Sequence, residues 1–125
     1  MSQFEVRHVL DVKAMLGECP LWSQEQQALI WLNPRGGTLN RFDPVTGGNV
    51  VWQLPVDHPG AFTLGAGGAG IATPSGFFYF DFATEKFERL GDVPIDPKVL
   101  RFNDGKQDRQ GRFWIGTMSP GFAPD

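Results

Sequence analysis

Phe42-Asp43-Pro44-Val45-Thr46 and Phe80-Asp81-Phe82-Ala83-Thr84 carry one pattern twice: an aromatic residue ending an apolar run, then an aspartate, then a threonine three positions on. Ahead of the first copy lie Leu21-Trp22, the apolar run Ala28-Leu29-Ile30-Trp31-Leu32 and the alternating Thr38-Leu39-Asn40-Arg41-Phe42; behind it comes Val50-Val51-Trp52-Gln53-Leu54. Ahead of the second lie Ala61-Phe62-Thr63-Leu64, Gly70-Ile71-Ala72-Thr73 and Phe77-Phe78-Tyr79-Phe80, and behind it Lys86-Phe87-Glu88-Arg89-Leu90. Turns at Gly36-Gly37, Gly65 to Gly68 and Pro74-Ser75-Gly76 separate these short β runs. Ile30, Ile71 and Ile115 also recur, so the chain has a period of about forty residues with four strands in each. That is the pattern of a β-propeller blade. A sandwich of seven or more strands is the competitor, but it gives no reason to repeat Phe-Asp-x-x-Thr once every four strands. Two repeats and the opening of a third cannot close a ring of roughly four to eight blades. The expectation is therefore an all-β, partial β-propeller of two to three blades. Residues 1–125 form one incomplete domain, either the N-terminal part of a longer protein or a unit whose exposed edges associate.

Composition agrees with this reading. Of 125 residues 41% are hydrophobic, with sixteen Gly, ten Pro, eleven Phe and four Trp, which favours short strands and tight turns over long helices. The net charge is -3, and no dense Lys/Arg cluster suggests a nucleic-acid partner. No apolar run approaches the roughly eighteen residues of a membrane span, and the N-terminus has no signal pattern. The single cysteine, Cys19, cannot form an internal disulfide, so the cytoplasm is the expected compartment. Phe4 to Val12 alternates loosely and could form a strand.

Arg101-Phe102-Asn103-Asp104-Gly105-Lys106 is polar without any amphipathic period, follows Pro94 and Pro97, and precedes the buried-strand run Arg112-Phe113-Trp114-Ile115-Gly116. It reads as a loop at a strand entrance. Arg101 offers a fork of donors for an oxygen-rich ligand, Asn103 a donor and an acceptor, and Gly105 the freedom for a turn. Asn-Asp-Gly is equally a common structural turn. Glu18 lies on a short irregular loop between Gly17 and a proline-bounded turn, where a solvated carboxylate is the plain reading. His8 and His58 read as surface residues, and Cys19 as a small buried side chain rather than a reactive thiol. The tryptophans and Phe78 and Phe80 are assigned to packing between blades. The glycines from Gly65 to Gly70 form a flexible turn, since no helix follows them to make a phosphate loop.

Leu16-Gly17-Glu18-Cys19-Pro20-Leu21-Trp22, Ile30-Trp31-Leu32-Asn33, Gly37-Thr38-Leu39-Asn40-Arg41-Phe42-Asp43-Pro44, Arg101 to Lys106 and Gly111-Arg112-Phe113-Trp114-Ile115-Gly116-Thr117-Met118 together resemble the SMP-30/gluconolactonase/LRE family. The resemblance implies a six-bladed propeller with one divalent cation in its channel (Ca²⁺, Zn²⁺, Mg²⁺, Mn²⁺ or Fe²⁺) that hydrolyses sugar lactones. It implies Glu18 as a metal ligand and Arg101 and Asn103 as substrate-binding residues. The family's other ligands, an Asn and an Asp that doubles as general base, fall in later blades with no counterpart here, so residues 1–125 alone are expected to be inactive. Cys19 stands where the family usually has glycine, and Ser119-Pro120-Gly121 replaces an acidic stretch of the animal members. The alternative is a non-catalytic fragment that binds or self-associates through its blade edges.

Overall fold

The computed structural model describes residues 3–121, and in them the regular structure is entirely β. Strands β1 (Glu18–Ser23), β2 (Ala28–Asn33), β3 (Thr38–Phe42) and β4 (Asn49–Gln53) form one antiparallel sheet in chain order. Strands β5 (Ala61–Gly65), β6 (Gly68–Thr73), β7 (Gly76–Asp81) and β8 (Phe87–Gly91) repeat the arrangement, and β9 (Arg101–Gln107) with β10 (Phe113–Met118) opens a third sheet. These are two full blades and the beginning of another.

Alternation decides which side chains fill the space between the blades. Ala28, Ile30 and Leu32 of β2 are fully buried while Leu29 and Trp31 between them are only half-buried. Ile30, Leu32 and Leu39 meet Phe62, Ala69, Ile71 and Phe80 of the second blade, with Leu54 of the connection closing the cluster. Each large side chain here contributes about 1.5–3 kcal/mol by leaving water. Trp52 of the outer strand β4 lies 5.2 Å from the Phe80 ring and 5.4 Å from Phe82, and its indole N–H donates to Glu85 at 3.2 Å.

The repeated pattern has one three-dimensional meaning. Asp43 accepts backbone N–H bonds from Val45 at 2.8 Å and Thr46 at 3.3 Å; Asp81 accepts them from Ala83 at 2.9 Å and Thr84 at 2.8 Å. In both turns the fifth residue, Gly47 (φ 74) or Glu85 (φ 58), takes the left-handed conformation and bonds back to the aspartate carbonyl at 2.8 Å. These bonds favour the ionised carboxylates, and both aspartates sit below their ordinary pKa.

The second and third blades meet at a close backbone approach. A Cβ on Gly60 would lie 2.6 Å from the Phe102 carbonyl oxygen, so glycine is required where β9 settles beside the entry to β5. Phe102 is buried and its ring stacks 5.8 Å from that of Phe77.

Three expectations are corrected. Phe4 to Val12 forms no strand: Phe4 is 93% and Val6 94% exposed, because no strand among the described residues offers it a ladder. Of Gly65 to Gly70 only Ala66 and Gly67 form the turn, Gly67 with φ 69, while Gly68 and Gly70 belong to β6. Gly68 is glycine because a Cβ would clash with the Phe80 backbone carbonyl oxygen. Trp22 and Trp114 are 48% and 63% exposed rather than packed between blades, since each lies in a sheet at an end of the stack.

The β9–β10 hairpin is fastened by Asp108, which accepts from the Trp114 indole at 2.9 Å, from the Arg112 guanidinium at 2.6 Å and from two backbone N–H groups. Led by the Trp114 bond, these donors hold its carboxyl down at a pKa of about 2. A depressed pKa contributes stability above the unfolded value, near 4, that is lost as pH falls toward 2. Asp108→Asn is expected to lower the melting midpoint at pH 7, with the gap to wild type closing between about pH 4 and pH 2 in thermal melts.

Candidate functional site

The first strands of the three sheets, β1, β5 and β9, lie against one another. The Cys19 thiol, near the start of β1, lies 3.8 Å from the Phe62 carbonyl of β5 and 3.9 Å from the Gly105 carbonyl of β9. The three strands thereby converge at one edge of the stack, where a propeller has its channel.

Glu18 is the first residue of β1 rather than a loop residue; it is half-buried and pairs with Leu32. Immediately after it the register slips before Leu21, and Cys19 adopts φ 53. A left-handed residue in an extended strand bends it and re-aims its neighbours. Glycine would take this positive φ without steric cost, whereas cysteine does not. Burial, reinforced by the charges of Asp104 and Glu18, pushes the Cys19 thiol pKa up, so the sulfur stays protonated and is a poor nucleophile or metal ligand.

Arg101 to Lys106 is likewise strand, not turn. Met118 pairs with Arg101 and Thr117 with Phe102, but Ile115 pairs with Gly105, leaving Asn103 and Asp104 opposite Gly116 in a bulge. The segment's polarity misled because β9 is covered on one side only: Phe102 is buried, flanked by half-buried Arg101 and exposed Asn103. Gly105 serves close packing, since a Cβ would come within 2.8 Å of the Trp114 carbonyl oxygen; it has no positive φ.

Glu18 borders a cavity of about 470 Å³ with His8 to Ala14 and Trp31, and two further cavities open at β9. One of about 200 Å³ is lined by Cys19, Pro20, Leu21, Asp104, Gly105 and Lys106. The other, about 340 Å³, is lined by Met15, Arg35, His58, Arg101 and Pro120. Arg35 and His58 carried no local sequence signal for this role. They come from the β2–β3 and β4–β5 connections, and only the blade topology brings them to Arg101. The Arg101 Nε is buried without a hydrogen-bond partner among the described residues.

Among the described residues no three His, Cys, Asp or Glu side chains are grouped to hold a metal ion. Glu18 provides one hard carboxylate, whereas Ca²⁺ takes six to eight oxygens. The donor chemistry suits a hard cation, but the set is incomplete among the described residues.

Residues 16–125 match the SMP-30/gluconolactonase/LRE-like region. The chain belongs to this family. A 6-deoxy-6-sulfogluconolactonase of Pseudomonas putida is 42% identical over 106 residues, 84% of this chain and 36% of that protein. Regucalcin of Xenopus laevis is 32% identical over 126 residues, 99% of this chain and 42% of that protein. A solved calcium-binding regucalcin from Agrobacterium tumefaciens superposes with a TM-score of 0.80 at 26% identity, over 90% of this chain and 38% of that one. The chain thus spans about two fifths of the length of these family members. Its fold is that of the family's propeller.

The positive φ at Cys19 sets an unusual order of stability. Cys19→Gly relieves the backbone, whereas Cys19→Ala keeps the strain and loses the sulfur's packing. Glycine is therefore expected to be the more stable variant by about 1 kcal/mol in denaturant unfolding, the reverse of the usual order in a strand.

Proposed function

We propose that the chain is the N-terminal part of a metal-dependent sugar-lactone hydrolase, with residues 1–125 an incomplete propeller domain completed by further blades. The observation that carries this reading is the family match over residues 16–125, together with Glu18 and Arg101 at the first residues of two neighbouring strands, β1 and β9. Sugar lactones as substrates are supported by the sulfogluconolactonase relative.

In this reading Glu18 contributes one oxygen to a divalent cation, calcium being the ion named for the Agrobacterium relative. A bound cation supplies Lewis acidity toward the lactone carbonyl. Arg101 and Asn103 hold the substrate's hydroxyl and carbonyl oxygens, the planar fork of Arg101 fixing orientation and the Asn103 amide both donating and accepting. The remaining ligands and the general base come from later blades. Among the described residues no helix is long and apolar enough to cross a membrane, and the one cysteine is unpaired, which supports the cytoplasm as the proposed location.

A second reading applies to residues 1–125 on their own: association of copies through the end blades. It is favoured by the exposure of Trp22 and Trp114, at 48% and 63%, on the two end sheets. Light scattering separates the two, a monodisperse oligomer supporting assembly and aggregation supporting an interrupted enzyme.

In the protein with all blades, Glu18→Gln is expected to weaken metal affinity by tenfold or more, roughly the effect of exchanging a carboxylate for a neutral amide oxygen, with activity partly restored by excess metal. Unchanged affinity in a metal titration would remove Glu18 from the ligand set. Arg101→Lys is expected to reduce kcat/KM by about 10- to 100-fold while leaving the melting midpoint near wild type. A shifted midpoint with normal turnover per folded molecule would mark the residue as structural.

A further inference from the structure

The cavity of about 340 Å³ gathers more positive charge than the lactonase reading uses: beside Arg101 it has the guanidinium of Arg35 and the imidazole of His58, with Met15 and Pro120, and no carboxylate among the described residues. The ion pairs among the described residues are Arg7–Glu5, Arg89–Asp92 and Arg112–Asp108, so neither Arg35 nor Arg101 has an acidic partner among them. Asp57 lines an adjoining cavity with Arg35 and His58 yet forms no ion pair with either. Two like charges facing one space repel, and an anion entering the space would offset that repulsion.

We propose that the Arg35–His58–Arg101 cavity is a subsite for a tetrahedral oxyanion carried by the sugar lactone, a sulfonate or a phosphate, so that the preferred substrate is acid-substituted rather than neutral. Guanidinium forks match the oxygens of such groups two at a time, and His58 adds a third direction of donation. The space exceeds what a bare ion needs and reaches the size range of small-molecule pockets. Arg101 lines the cavity and stands two residues from Asn103, so one residue links the anion subsite to the proposed ring-binding position. Arg35 and His58 are exposed on loops, and their side chains make no hydrogen bond among the described residues, which suits a ligand role. The inference rests on the lactonase reading for its choice of sugar, but the cation cluster is independent of turnover.

The test uses the protein with all blades and three substrates: glucono-1,5-lactone, its 6-deoxy-6-sulfo counterpart and its 6-phospho counterpart. Wild type is expected to favour an acid-substituted lactone by at least about tenfold in kcat/KM. Arg35→Gln is expected to raise KM for that lactone about tenfold, leave its kcat little changed and leave the neutral lactone within about twofold. Comparison of the two charged lactones identifies which oxyanion the cavity takes. Calorimetric binding of 6-deoxy-6-sulfogluconate to wild type and Arg35→Gln reads the subsite without turnover, with loss of binding in the variant expected. Hydrolysis of the neutral lactone with no preference for charge, or an equal effect of Arg35→Gln on all three lactones, overturns the inference and spares the lactonase reading. Absence of all hydrolysis with Arg35-dependent sulfonate binding does the reverse.

Discussion

The packing of Ile30, Leu32 and Leu39 against Phe62, Ile71 and Phe80 is the contact on which the rest of the molecule depends. It sets two four-stranded sheets face to face, and sheets joined this way splay from a common edge because each is twisted. The first strand of each sheet then lies at that edge. Once β1 and β5 are fixed there, β9 has one place to go, beside β5, where Gly60 lets the Phe102 backbone approach and Phe102 stacks on Phe77.

Local devices keep these sheets in register. Asp43 and Asp81 make the same turn between the third and fourth strands of their blades, and Asp108 closes the β9–β10 hairpin with a different but equally carboxylate-centred set of bonds. The cation–π contact of Arg112 over Trp114, 5.7 Å from the ring centroid, adds to the last of these. Aspartate does this work because its short carboxylate reaches backbone donors two and three residues ahead, where a longer side chain would overshoot. The cores specify which faces meet, and the turns specify which residues stand opposite one another.

The candidate site is a product of the resulting convergence. Glu18 and Arg101 lie far apart in the chain but at corresponding places in their blades, each the first residue of an innermost strand. The strand irregularities sit beside them: the slip after Glu18 with φ 53 at Cys19, and the bulge at Asn103 and Asp104. Both interrupt the regular ladder beside the candidate site, and Cys19 bears a backbone cost there that glycine would avoid.

The sequence by itself determined the repeat, the four-stranded unit and the all-β class, because turn chemistry and apolar spacing are local and survive without coordinates. The ordered motifs, from Leu16-Gly17-Glu18 to Gly116-Thr117-Met118, were likewise enough to point to the family. Local patterns failed where a partner strand decides the outcome. Arg101 to Lys106 looks like a loop until β10 supplies its ladder, and Phe4 to Val12 looks like a strand but has none to pair with among the described residues. Arg35 and His58 are two unremarkable loop residues in sequence. Only the stacking of the blades places them around one cavity with Arg101, because proximity across blades is set by the packed core and not by any spacing along the chain.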